Sequence, residues 1–462
     1  MPDALWSADE VAAAVGGQVA SDFQVHGVSI DTRTVEAGDL FVPLVGARDG
    51  HDFIPQALAR GAAGVLAAKA VDAPAVTVDD TFKALEALGV AARDRAPQCK
   101  RGAVTGSVGK TSVTRAIEAG LRLAGKAHAS VKSYNNHIGV PLTLARMPRD
   151  TERAVFEVGM NHADEITPLS RFVQPHAVAI TTVGPVHIEN FSDGEAGVAR
   201  AKAEILAGLQ AGGIAVLNAD NLWFDFLKGE AEKVGATVWS FGEAAGATAR
   251  LTGFQVDGAG ATVSVDLRGE ALRFPLRQTG VHWGPNSLCV LLMLEALDVP
   301  RETALAALAT FAPIEGRGAE KTIRIPGGAF TLVDESYNAN PVSMQAALKT
   351  LGARKVAGRR VIALTDMLEF GEDSARFHAE LAEPIAAAGI DSVFLAGVHM
   401  KSLWEALPPN RRGGYAEVAE KLTSALTGAV QPGDIVMVKG SNGSRAGALA
   451  AALVALDLGE RG

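Results

Sequence analysis

Thr105-Gly106-Ser107-Val108-Gly109-Lys110-Thr111-Ser112 is the stretch on which the reading of this chain turns. The apolar Gly102-Ala103-Val104 before it suits the end of a buried strand, and Val113 to Leu123 after it has helical spacing. A glycine-rich turn between a strand and a helix is the context that a phosphate loop needs. Glycines let the backbone fold tightly enough for successive N–H groups to converge on one anion, and the helix adds the positive end of its dipole. On this reading Gly106, Ser107, Val108, Gly109, Lys110, Thr111 and Ser112 cradle a nucleotide's phosphates, with Lys110 at the terminal phosphates and Thr111 holding magnesium. The commonest such loop has another glycine five positions before Gly109, where this chain has Val104, and an ordinary strand-to-helix turn is the competing reading.

The rest of the composition frames that loop. A chain of 462 residues is too long for one core and suggests about three domains at roughly 150 residues each. With 48% hydrophobic and 21% charged residues it can bury those cores. A net charge of -9 argues against a nucleic-acid surface, which needs a basic footprint, so small-molecule partners are expected. Cys99 and Cys289 have no metal-ligand spacing and fit a reducing compartment. Met1-Pro2-Asp3-Ala4-Leu5 leads into no export signal, and the longest apolar run, Ala446 to Leu456, is far below the roughly 20 residues of a membrane span. A cytoplasmic protein without membrane insertion is therefore expected.

Along the first hundred residues, Val28 to Arg33 reads as a strand entering a turn, Gly38 to Leu44 as a second strand, and Gly46 to Phe53 as a polar loop. Ser29, Thr32 and Arg33 offer donors suited to a phosphate or uracil group, and equally suit a turn that caps its own neighbours. Ala91 to Lys100 reads as a linker. From Arg101 strands and helices alternate, which indicates a parallel sheet whose ligands gather at the strands' carboxyl ends. There stand the paired amides Asn135 and Asn136, then Glu157 in an apolar strand, then His187 in a loop. A buried glutamate needs a partner: magnesium near the phosphates, or a structural salt bridge. Lone histidines are more often structural than catalytic. Glu195 to Leu209 reads as a helix in which Lys202, on periodicity alone, is a solvated lysine. Leu251 to Val256 and Ala261 to Leu267 flank Asp257-Gly258-Ala259-Gly260 as a hairpin. Pro285 sits in the first turn of an apolar helix, Ser287 to Leu297, beside Asn286, which could orient a base or a loop.

Past the turn-rich Pro313 to Gly318 the alternation resumes, with strands at Phe330 to Asp334, Arg360 to Thr365, Asp391 to Ala396 and Asp434 to Val438. Helices at Val342 to Leu351 and Ala375 to Ala387 separate them. The pattern is a third, dinucleotide-fold-like domain without a Gly-x-Gly-x-x-Gly signature, so no separate NAD site is expected. Its strands end in Asp334 to Pro341, Asp366 to Glu369 and Lys439 to Asn442, polar stretches that suit either a closing surface or helix caps.

Taken in order, these motifs resemble the Mur ligases, the ATP-dependent amide-forming enzymes that build the peptide of bacterial cell-wall precursors. The resemblance rests on Thr105 to Thr111, Glu157 with Asn161-His162, His187, Ala201-Lys202-Ala203-Glu204, Asn286, Gly316-Arg317 and Asp334, and spans essentially the whole chain. It implies an α/β protein of three domains: a small mixed UDP-substrate domain at 1–98, a central phosphate-loop ATPase-like domain at 99–313, and a Rossmann-like domain at 314–462 that closes on ATP. The family also has a shortened loop, which accommodates Val104. By the same resemblance Glu157 and His187 serve the metal ions, with Thr111. Lys202 looks like the lysine that becomes carbamylated, and its carbamate would hold a second magnesium. Asn286, Arg317 and Asp334 resemble the positions that grip the nucleotide, and Lys110, Lys202 and His187 are the residues implied in catalysis. Ser29, Thr32 and Arg33 fall where the UDP end binds, while Asn135, Asn136, Asn338 and Asn340 face the remaining substrate. The stretch Asp334 to Pro341 looks most like the member that adds D-alanyl-D-alanine to UDP-N-acetylmuramoyl-tripeptide. A monomer is expected. The alternatives are another ligase of the family, a folate polyglutamate ligase, or a phosphate-loop switch that makes no amide.

Overall fold

In the computed structural model, which describes residues 4–131, 133–257 and 260–459, three large sheets form from successive parts of the chain. The first contains Gln18–Val19, Ala75–Thr77, Gly64–Ala67, Asp39–Phe41 and Gly27–Ser29 in that order, parallel except at its first pair. The polar loop expected at 46–53 ends in a 3₁₀ turn, Gly50–Phe53. The linker expected from Ala91 to Lys100 is shorter than read. Helix Thr81–Asp94 runs through its first four residues, and Lys100 already opens the next strand. The misleading signal was charge: Arg93 and Asp94 are an adjacent ion pair in the helix's last turn, and the Arg93 guanidinium also donates to the Phe172 carbonyl.

The middle sheet has nine strands: Glu270–Leu276, Gly260–Leu267, Ala249–Asp257, Thr237–Gly242, Ile214–Asn218, Ala177–Ile180, Lys100–Thr105, Arg153–Glu157 and Ala127–Ala129. The first three pair antiparallel and the others parallel. After Lys100–Thr105 the chain visits the edge, returns to Arg153–Glu157 on one side, then crosses to Ala177–Ile180 on the other. That reversal opens a crevice at the carboxyl end of Lys100–Thr105. Helix Trp283–Ala296 begins four residues before the expected start and is apolar on nearly all sides. It fills the core with Val104, Val113, Ile117 and Leu121, so the sheet and the helix Lys110–Ala124 share one packed interior. The expected hairpin strands pair as read, while its turn at Gly258-Ala259 lies outside the described residues.

The third sheet runs Ala319–Ile325, Gly328–Glu335, Ile435–Lys439, Arg360–Thr365, Ser392–Ala396 and Arg412–Ala416, parallel after its first pair. Arg412–Ala416 escaped the sequence reading because Gly413 and Gly414 look like a loop. The helix expected over 375–387 is two, Ser374–Ala379 and Ala382–Ala387. Pro384 has no N–H to give the Glu380 carbonyl, so the helix cannot run through unbroken. Likewise Glu195–Ala203 is α-helical but Glu204–Gly208 is 3₁₀. There the Glu204 carboxylate accepts backbone N–H groups of Asp164, Ile166 and Thr167 at the start of helix Ile166–Val173. Among the described residues no helix is long and apolar enough to cross a membrane. The apolar run at 446–456 forms helix Ala446–Val454, whose Leu449 and Leu453 are buried in the third core.

Candidate active site

The phosphate loop is held in shape by two unusual backbone positions. Gly106 has φ 145°, and a Cβ there would lie 2.0 Å from Thr181 Oγ1. Gly109 has φ 87° and precedes helix Lys110–Ala124 without any side-chain cap, which leaves the helix's first N–H groups to an anion. The neighbouring strand pins the loop. Ser107 Oγ donates to the Gly184 carbonyl at 3.0 Å, and Thr181 Oγ1 donates to the Val108 carbonyl at 2.5 Å. The Ser107 hydroxyl thus braces the loop. Lys110 Nζ donates to the Gly106 carbonyl at 2.6 Å, folding the side chain over the loop. Burial lowers the Lys110 pKa, the Glu157 carboxylate opposes that shift, and the nearby Arg317 charge adds to it.

Glu157 ends its strand at 1% exposure. Its Oε1 accepts from Asn135 Nδ2 at 2.7 Å, while Oε2 is buried with no hydrogen-bond partner. A buried carboxylate oxygen left unpaired costs free energy, and a divalent cation is the partner that would remove the cost. No cluster of three or more His, Cys, Asp or Glu that could cage a metal occurs among the described residues. Magnesium does not need one, since it commonly binds through one or two carboxylates together with phosphates and water. Glu157 and Thr111, which line the same cleft, fit that ion.

Lys202 is not the solvated lysine that periodicity suggests. It is 1% exposed, on helix Glu195–Ala203, and its pKa is lowered well below the usual lysine range. Burial is the main cause and the charge of Lys110 adds to it, with Glu204 opposing. Such a shift favours the neutral, nucleophilic amine over the ammonium. It does not itself line the cleft. His187 does, from a left-handed backbone conformation at φ 54°.

The cleft has a volume of about 760 Å³ and lies between the middle and third sheets. It gathers Lys110, Thr111, Glu157, His187, Asn135, Asn136 and Asn286 from the middle lobe with Arg317, Asn338 and Asn340 from the third. The Asn286 amide lies 3.5 Å from where a Cβ on Gly109 would stand, directly against the phosphate loop. Arg317 stacks over the Tyr337 ring at 4.0 Å. The Asp334 carboxylate accepts N–H groups of Gly316 and Ser336, and so shapes the turn that carries Arg317 without lining the cleft. Two of the amides have structural duties. Asn340 Oδ1 accepts the Ser343 N–H in a capping box for helix Pro341–Ala353, and Asn136 Oδ1 accepts N–H groups of Ile138 and Gly139.

Ser29, Thr32 and Arg33 stand on the first lobe outside the cleft. Ser29 is buried and donates to the Asp31 carbonyl, Thr32 donates to Gln56, and Arg33 is exposed beside Asp31 at 2.6 Å. The sequence reading did not select Tyr337 or Lys439, both of which line the cleft. Tyr337 reaches Ser133 Oγ at 2.6 Å from across it, and Lys439 Nζ holds Glu335 and the Asn338 carbonyl. Their signal was present in the polar strand ends, but nothing local ranks one such residue above another. Cys99 and Cys289 are both free and buried, and burial raises each thiol's pKa, that of Cys99 to about 11.

Three family descriptions match this architecture: Mur ligase family, catalytic domain, over residues 24–98, Mur ligase middle domain over 104–294, and Mur ligase, glutamate ligase domain, over 322–442. The chain belongs to the Mur ligase family. Among its Mur ligase relatives is the UDP-N-acetylmuramoyl-tripeptide–D-alanyl-D-alanine ligase of Rickettsia prowazekii, 31% identical over 95% of this chain and 97% of that one. The enzyme of the same name from Escherichia coli is 35% identical over 82% of each chain. A crystal structure of MurF from Acinetobacter baumannii superimposes with a TM-score of 0.84 at 26% identity, covering 97% of this chain and 99% of that one.

Proposed function

We propose that this Mur ligase joins D-alanyl-D-alanine to UDP-N-acetylmuramoyl-tripeptide, with ATP cleaved to ADP and phosphate, in the assembly of peptidoglycan precursors. The observation that carries this reading is the single cleft lined on one side by the phosphate loop and the unpaired Glu157, and on the other by Arg317 and Asn338. Its chain-length likeness to ligases of that name supports this choice of substrates.

A free carboxylate resists an amine, since its charge repels nucleophiles and its leaving group is poor. Transfer of the ATP γ-phosphoryl group to the tripeptide's terminal carboxylate makes an acyl phosphate and ADP. The amine of D-alanyl-D-alanine then attacks the carbonyl carbon, phosphate leaves, and an amide forms. In the first step anionic oxygens converge, and Lys110, Arg317 and the loop N–H groups are the donors placed to meet them. Thr111, Glu157 and His187 would hold magnesium, which when bound neutralises developing phosphate charge. Lys202, whose burial favours the neutral amine, is suited to take up carbon dioxide as a carbamate, a carboxylate-like ligand for a second ion. Asn286 would face the base, and Asp334 would meet the ribose. Ser29, Thr32 and Arg33 would serve the UDP end, and Asn135, Asn136, Asn338 and Asn340 the peptide end.

The reading divides the chain into a UDP-substrate domain at 1–98, an ATP-binding domain at 99–313 and a closing domain at 314–462, acting as a cytoplasmic monomer. The test is incubation with ATP, magnesium, UDP-linked tripeptide and D-alanyl-D-alanine, followed by mass analysis. A product heavier by the dipeptide less water is expected. Product only with a single amino acid and the UDP-linked dipeptide would assign a different ligase of the family, and ATP binding without any amide would reject the enzymatic reading.

A further inference from the structure

We infer that Glu369 is a positioning residue for His187, supplied by the third lobe, so that the metal side of the phosphate site is completed only when that lobe seats against the middle one. The inference rests on the reading that His187 serves a magnesium ion. Its geometry is independent of that reading.

His187 Nδ1 lies 2.6 Å from Glu369 Oε2, an ion-pair distance whose angle is not that of a hydrogen bond. Both residues hold left-handed backbone conformations, φ 54° and φ 71°, which a side chain bearing a Cβ rarely adopts. Such strain persists only where the surroundings impose it, and here it occurs on both sides of one contact. The surroundings are visible on the third lobe. Glu369 ends the segment Asp366-Met367-Leu368-Glu369, which follows strand Arg360–Thr365. Met367 N–H donates to buried His378 Nε2 at 2.9 Å, and Leu368 N–H donates to Ser441 Oγ at 3.2 Å. Asp366 Oδ1 accepts the Met400 N–H at 2.9 Å. Every residue before Glu369 in this segment is thereby tied to the third lobe, and Glu369 is carried rigidly with it.

The neighbours of the pair agree. Ile188 packs into the cores of both the middle and third lobes. A Cβ on Gly371 would come within 3.4 Å of the Glu189 carboxylate. Residues 187–189 thus seat on residues 366–371. A carboxylate this close to Nδ1 draws the imidazole toward it by charge and favours the proton on that nitrogen, leaving Nε2 as the ligating nitrogen, which is how carboxylates commonly support metal-binding histidines. Because histidine and carboxylate come from different lobes, separating the lobes releases the ring. Lobe closure and metal-site order become one event.

The test uses the full chain with dyes on Val234→Cys and Val398→Cys, exposed positions on the middle and third lobes; the native cysteines are buried. Energy transfer is followed on adding a non-hydrolysable ATP analogue with magnesium, and steady-state kinetics are run in parallel without dyes. For Glu369→Ala we expect a loss of most of the ligand-induced change in transfer, and a rise of about 10- to 100-fold in the magnesium concentration for half-maximal rate. The melting temperature should match the parent's. Glu369→Gln keeps an acceptor oxygen and should restore much of both. Glu369→Ala with parental closure and parental magnesium dependence would overturn the inference. So would a variant that only melts earlier, which marks a merely structural residue. A parent chain that makes no amide but still closes in a Glu369-dependent way would overturn the proposed reaction and leave this inference standing.

Discussion

At the scale of single residues, the site works by placing charge where water is scarce. Lys110 is folded over its own loop by the bond to Gly106, and on the proposed reaction it would meet the phosphate charge that develops during transfer. Lys110→Ala is expected to lower amide formation by at least about 100-fold, since loss of one such preorganised donor typically costs that much. Circular dichroism should remain that of the parent, and near-parental turnover would reject the loop assignment. Lys202 acts differently. Its burial and the charge of nearby Lys110 favour the neutral amine over the ammonium, the form that adds to carbon dioxide. Activity should therefore fall when bicarbonate is stripped and return when it is restored, and Lys202→Ala should be inactive under both conditions. Full activity of that variant without bicarbonate would remove the carbamate from the mechanism. Nothing in the spacing around Lys202 distinguishes it from a surface lysine, because burial is a sum over distant contacts. By contrast Gly106 and Gly109 were legible at once, since the backbone angles of a phosphate loop exclude side chains locally.

At the scale of elements, the sequence patterns located four of the six strands of the third sheet and the middle-sheet strands near the phosphate loop and the hairpin, while strands such as Ile214–Asn218 and Thr237–Gly242 were not singled out. Three of the differences have local causes. Proline split one expected helix, paired glycines hid an edge strand, and charge in a last helical turn passed for a linker. Asn340 and Asn136 show a subtler ambiguity. An amide at the end of a strand is equally suited to a ligand and to the first turn of the next helix, and here, while both line the cleft, Asn340 caps helix Pro341–Ala353 and Asn136 accepts the N–H groups of Ile138 and Gly139. The edge strand Ala127–Ala129 carries a pH-sensitive tie. His128 Nε2 meets the Thr143 carbonyl at 2.7 Å, joining the strand to helix Gly139–Ala145. Although part of the residue remains at the surface, enclosure of the ring pushes its pKa down to about 4. The unfolded chain takes up this proton near pH 6.5 and the folded one only near pH 4, so the unfolded state binds more protons between them. Stability from His128 is thus present above about pH 6.5 and lost as pH falls toward 4. In urea titrations at several pH values, His128→Gln should show a shallower loss over that window, and an unchanged slope would contradict the assignment.

At the scale of the whole molecule, function depends on two sheets sharing a cleft that neither encloses alone. On the proposed reading nucleotide would lie against Lys110 and Arg317, which line one cleft from two lobes, so its binding energy should stabilise both. Hydrogen exchange with saturating ATP analogue and magnesium should slow at residues 107–112 and also in helix Pro341–Ala353, while residues 64–77 of the first lobe change little. Slowing confined to the middle lobe would show that the third lobe does not close on nucleotide. What the sequence by itself determined was local: a glycine-bound loop between strand and helix, alternating elements in two successive runs, and an order of motifs sufficient to indicate the family. Those follow from backbone angles and hydrophobic period, which act over a few residues. Only the tertiary structure decided that Lys202 is buried, that Glu157 keeps one unpaired oxygen, that Ser107 commits its hydroxyl to Gly184, and that Glu369 meets His187. Each of these depends on which atoms arrive from far along the chain, and burial, pairing and charge are set by that arrival.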